Sequence, residues 1–144
     1  MEGTYMSIAI NWWAVLVATI VSMVLAKTWF REKTFGHAWR ELTGITPADS
    51  KKAGKKPIVI TLFANVATVL ALAAMINISA EFFNNSSIWC ALLTGFVAWL
   101  AFSATTLLTH NAFEQKPQKL TLINNGYQLV LFLLTALIVG WMGM

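Results

Sequence analysis

The side chains in this chain that could do chemistry are few, and most of them are neutral. Asn65, Ser103, Thr106, His110, Asn124 and Gln128 stand inside or beside long apolar runs. Gly95, Trp99, Ser103, Thr106 and His110 follow spacings of four, four, three and four, which predicts one shared face of a helix. Asn124, Gln128 and Thr135 share another, with Tyr127 and Leu131 beside them, and Thr61, Asn65 and Thr68 a third. Amides and hydroxyls donate and accept hydrogen bonds, so such faces either bind one helix to the next or line a water-filled vestibule. On the first reading Gly95 allows close approach of a neighbour, and Trp99 lies over it with its N–H bonded across to another helix. On the second, Thr106, His110, Asn124 and Gln128 line a mouth, with Asn65 and Ser103 nearby.

The residues that are missing narrow the function further. Cys90 is the single cysteine, which excludes an intrachain disulfide and a Cys-x-x-Cys redox site. No Asp or Glu lies within the apolar runs, although a proton-coupled exporter needs an intramembrane carboxylate to exchange proton for substrate. His37 and His110 are read as lacking partners at ligand spacing, so no metal is expected. There is no Gly-rich phosphate loop after a strand, and no cofactor is expected. General acid and base groups are so scarce that the chain is expected not to be an enzyme.

The elements that must position these residues follow from hydropathy. Apolar residues make up 58% of the 144 and charged residues 11%, where a soluble domain carries about 25% charged. Residues 8–26, 58–80, 88–109 and 120–144 are uncharged. Each run is near or beyond the roughly 20 residues that a helix needs to cross a bilayer. They do not alternate as barrel strands do, and lipid tolerates only helices or closed barrels. The expected fold is all-α: a polytopic membrane protein, one domain over 1–144, forming a bundle of four transmembrane helices. The spans are placed at 8–29, 58–80, 88–110 and 120–142. The N-terminal segment carries Glu2 and no Lys or Arg, so the first run is expected to be retained as a helix and not cleaved as a signal peptide.

All ten basic residues fall on one side of this layout. Eight lie in the first loop, from Lys27 to Lys56, and Lys116 and Lys119 lie in the third. Basic loops are retained in the cytosol, which puts loops 27–57 and 110–119 inside and both termini outside. The lipid bilayer is therefore the first partner, its anionic headgroups attract the basic loops, and no nucleic-acid role is expected. One fixed orientation also makes any homo-oligomer parallel. Within the cytosolic loop 30–57, Phe35, Ala38, Trp39 and Leu42 form an apolar stripe, as expected of a short interfacial helix ended by Thr43-Gly44. Thr46-Pro47-Ala48-Asp49 starts a second short helix, with a cap, a proline at the first position and an acid three after the cap.

The order of certain residues also resembles a known family. Ile10-Asn11-Trp12 opens the first run, followed by Trp29-Phe30, Phe35-Gly36-His37-Ala38-Trp39 and Thr43-Gly44. Between Gly95 and Tyr127 stand Gly95-Phe96, Trp99, Phe102, Ala104-Thr105-Thr106, Phe113-Glu114, Lys119-Leu120, Ile123-Asn124 and Gly126-Tyr127. Across nearly its whole length the sequence resembles the domain of unknown function 1761 family, small bacterial and fungal membrane proteins. The resemblance implies the four-helix layout and a bacterial inner membrane location, and it confers no activity. Many members have a histidine after that tyrosine; this sequence has Gln128 there, which removes a titratable group. The expectation is thus a parallel homo-oligomer acting as a small channel or transporter-like assembly. The alternative is an accessory subunit that binds another membrane protein. An enzyme acting on a lipid or quinone is the weakest reading.

Overall fold

A computed structural model describes residue 5 and residues 7–143; the segment holding Glu2 lies outside them. The order of elements is α1 (Trp12–Trp29), α2 (His37–Thr43), α3 (Pro47–Ala53), α4 (Lys56–Phe82), α5 (Ile88–Ala98), α6 (Thr105–Phe113) and α7 (Gln118–Met142). A π-helical turn, Trp99–Ala104, joins α5 to α6, so the two run on as one long helix, Ile88–Phe113. With α1, α4 and α7 that makes four helices long and apolar enough to cross a membrane. No strand occurs among the described residues.

Three of the helices, α1, α3 and α5, begin where a side chain satisfies the first N–H groups. Asn11 accepts from the backbone N–H of Trp13 and Ala14 at the head of α1, and its amide donates to the Met142 carbonyl at the tail of α7. Ser87 caps α5 through the Cys90 N–H. In the long loop α2 ends on Gly44 in the left-handed conformation, φ 73°. The cap of α3 is reciprocal: the Thr46 hydroxyl accepts from the Asp49 N–H, and the Asp49 carboxylate accepts from the Thr46 N–H.

The central element is α7, which packs on α1, α4, α5 and α6. The half of the bundle away from the long loop is closed by small residues. Ala14, Val15 and Ala18 meet Val69, Ala73 and Ile76, together with Ala91, Ala136 and Val139. A Cβ on Gly95 would come within 2.8 Å of the Ala136 Cβ, and one on Gly140 within 2.9 Å of the Ala91 Cβ. α5 and α7 therefore touch almost backbone to backbone, which small residues alone permit.

The half that carries the long loop is less closed. Of residues 55–64 at the start of α4, only Thr61 is not exposed. Among the described residues α4 packs on α1, α5 and α7 but not comparably on α6. The first turns of α4 thus stand off from the bundle. The apolar stripe of the long loop does not stand free of the bundle. It folds back onto the end of the bundle: the Phe35 ring lies 4.5 Å from Trp29, and Trp39 lies edge-on to Phe30 at 5.8 Å. Phe30 and Trp29 in turn cover Tyr127 of α7. These contacts cover part of each ring, although Phe35 stays 39% exposed.

Candidate functional site

Two indoles fix α7 in the half nearest the long loop. Trp29 Nε1 of α1 donates to the Ile123 carbonyl at 3.2 Å, and Trp99 Nε1 donates to the Asn125 carbonyl at 3.2 Å. These carbonyls flank Asn124. Gly126 lets the Trp29 ring in, since a Cβ there would stand 3.2 Å from Trp29 Cζ2. Gly95, on the face of α5 that meets α7, is buried, as are Ala91 and Ala98.

Asn124 and Gln128 occupy an unusual position on the helix thus held. They share the face of α7 that carries Leu131 and Thr135, each only 1% exposed. A residue in line with such neighbours is expected to be buried, yet Asn124 and Gln128 are both half-open. They lie at the level where α4 stands off. On α4, Asn65 is 4% exposed; its amide donates to the Met23 sulfur of α1 at 3.5 Å. Asn65 also approaches the Tyr127 hydroxyl without completing a hydrogen bond. The Tyr127 hydroxyl and the Asn125 side-chain oxygen are buried with no partner among the described residues. Buried polar atoms without partners are uncommon and mark a place for water or a ligand group.

The face expected to run from Gly95 to His110 does not stay on one line. The π turn adds a residue to the helical register, which rotates everything after it by roughly 100°. The side toward α7 passes to Ala104 and Asn111, both buried, while Phe102 is 69% exposed. Ser103 is left half-buried, and Thr106 and His110 are exposed. The same register puts Thr106 and His110 on the exposed side of α6, away from Ala104 and Asn111. The Thr105, Thr106 and Thr109 hydroxyls each donate to the carbonyl four residues back, so none needs a partner from another helix.

One contact escaped the sequence reading. Asn111 Nδ2 donates to the Thr121 hydroxyl at 2.8 Å, a buried bond that joins α6 to α7. With a continuous α-helix assumed, Asn111 falls off the polar face; no sequence signal marks the π turn. The histidines also differ from expectation in one respect. His37 lies between two carboxylates, 3.2 Å from Glu41 and 3.6 Å from Glu32, and the Glu41 contact is at the i,i+4 spacing. Arg40 takes up the other Glu32 oxygen, and no cluster of three metal-ligating side chains occurs among the described residues. Outside the long helices, the Thr46 backbone and hydroxyl hold the Asp49 carboxyl below its ordinary range, and Lys116 does the same for Glu114.

A family model described as "Protein of unknown function (DUF1761)" matches residues 13–140. The chain belongs to this family. Within the DUF1761 match lie both indoles, the π turn and all of the amides described above except that of Asn11. No curated protein and no solved structure matches the chain.

Proposed function

We propose that this DUF1761 protein crosses a bacterial inner membrane four times, with the long loop in the cytosol and both ends outside. We propose further that it works as a channel or transporter-like assembly of parallel copies. The observation that carries this reading is the half-open state of Asn124 and Gln128 on the buried face of α7. Two indole clamps hold the α7 carbonyls on either side of Asn124. Ser103, Thr106 and His110 on one side and Asn65 on the other complete a polar vestibule that receives a neutral or zwitterionic solute from the cytosol. Amide side chains suit such a solute, because they donate and accept without changing charge. The exposed threonines and His110 of α6 extend the polar strip to the outer surface of a single chain, which supports lateral association with further copies. We assign no reaction to this site, since its groups lack the titratable range that general acid and base catalysis uses. The accessory-subunit reading has less support, because Phe35 and Trp39 of the stripe that would meet a partner already engage Trp29 and Phe30.

Cysteine accessibility tests the vestibule. In a Cys90→Ala background, Asn124→Cys and Gln128→Cys should both react with a membrane-impermeant thiol reagent applied from the cytosolic side. Leu131→Cys, on the same face but buried, should not. If the Asn124→Cys and Gln128→Cys variants were as protected in the folded protein as Leu131→Cys, the vestibule would be removed. Unchanged solute flux or ligand binding in Asn124→Leu/Gln128→Leu would remove its role.

A further inference from the structure

We infer that the groove between α1 and the free end of α4 is a site for one anionic phospholipid of the cytosolic leaflet, separate from the vestibule. The groove has a volume of about 790 Å³ and is walled by Met23, Val24, Ala26, Phe30, Pro57 and Ile58. Lys27 and Arg40 stand at its edge, and Thr61 adds a hydroxyl. Its walls are those of a lipid-chain site, and its two cations are both at the end where α1 leaves the bundle and α4 enters. Val24 and Ile58 are each 60% exposed, so the groove opens sideways, where a chain enters from the bilayer without passing through water.

Charge complementarity selects the headgroup. Lys27 has no carboxylate partner among the described residues. Arg40 is held rather than loose: Nε donates to Glu32 at 2.9 Å, while Nη1 donates to the Ile45 carbonyl and the Ser50 hydroxyl. These bonds leave Nη2 and set the guanidinium plane in advance, so that little entropy is lost when it meets a phosphate. Lys55 and Lys56 open α4 beside the groove, and its first turn has no side-chain cap. A phosphodiester placed there meets Lys27, the free edge of Arg40 and the positive end of a long helix at once. A zwitterionic lipid brings a cation into the same ring of cations and is disfavoured.

Native mass spectrometry of the protein released from nanodiscs of mixed phosphatidylglycerol and phosphatidylcholine tests this. One phosphatidylglycerol should be retained per chain, in preference to phosphatidylcholine. Lys27→Gln should lower its retention about fivefold, the effect of one basic residue near an anionic surface. Ile58→Trp, on the exposed end of α4 where the fold tolerates bulk, should displace the chain from the groove. Lys33→Gln, in the same loop but away from the groove, should leave retention unchanged, and millimolar inorganic phosphate should not compete. Equal retention of phosphatidylcholine, an equal loss in Lys33→Gln, full retention in Ile58→Trp, or displacement by phosphate would each overturn the site. The Asn124→Leu/Gln128→Leu variant should hold the lipid as the parent does, which separates this proposal from the vestibule.

Discussion

Tyr127 and the two indoles beside it show how individual residues divide between holding the helices and leaving space. Trp29 and Trp99 spend their one donor each on α7 carbonyls, so their polar atoms are satisfied and their rings seal the sides of the helix. Tyr127 is different: its ring is enclosed by Trp29 and Phe30, and its hydroxyl has no partner among the described residues. Removing an unpaired buried hydroxyl costs nothing in lost bonds and ends a desolvation penalty of about 1–3 kcal/mol. Tyr127→Phe should therefore leave thermal stability in detergent unchanged or raise it. A fall of several degrees would show that the hydroxyl is bonded in the membrane, with Asn65 the nearest candidate. The residues that carry this level were partly legible: the Trp99 N–H does bond across to another helix, at the Asn125 carbonyl, but Gly95 meets Ala136 and Phe132 of α7. The Asn111–Thr121 bond was not legible, because its register depends on a π turn whose sequence, Trp99–Ala104, looks like any apolar helix.

Among the elements, α5 and α7 make the closest pair, and the structure explains why their small residues cannot grow. Gly95→Val would drive its Cβ into Ala136 and the Phe132 carbonyl, at 2.8 and 3.2 Å. Overpacking of this kind costs roughly 1–3 kcal/mol. Because this pair anchors the closed half, Gly95→Val should lower the unfolding midpoint more than Gly44→Val, whose left-handed φ of 73° strains only a loop helix end. The short α3 gives a test by pH. Its Asp49 carboxyl is held low by the Thr46 backbone N–H first and the Thr46 hydroxyl second. A carboxyl lowered in the folded state stabilises fully above its unfolded value of about 3.9, and that support is lost as pH falls through the lowered value. Loop amide exchange around 47–53 should thus rise in acid for the parent and already be raised at neutral pH in Thr46→Ala. A Thr46→Ala loop as protected as the parent would show that the cap is not what orders α3. The ends of α2 and α3 could be read from the sequence because Gly44 and Thr46-Pro47 encode them locally. The stand-off of α4 could not, since Ile58, Val59 and Ile60 are as apolar as any buried turn and only their neighbours decide whether they are covered.

The whole molecule has one open half and one closed half, so what it can receive depends on which way it faces. All ten basic residues belong to the open half and its loops. Inverting the chain would carry eight of them across the membrane in the first loop alone, which insertion resists strongly. In the opposite direction Asn11 and Met142 tie the ends of α1 and α7 together on the closed side, far from any basic side chain. The orientation we propose places Ser86, in the short loop before α5, outside and Ser50, on α3, inside. In a Cys90→Ala background, Ser86→Cys should react with an impermeant maleimide on intact cells, and Ser50→Cys should react only after the membrane is opened. The reverse pattern would keep the fold but turn the proposed vestibule and lipid site to the outside, so that any solute would have to be an extracellular one. Labelling of both sites on intact cells in equal measure would mean that the chain inserts both ways. The proposed parallel assembly would then give way to an antiparallel one, in which the polar strips of α6 from two copies could no longer meet at one end.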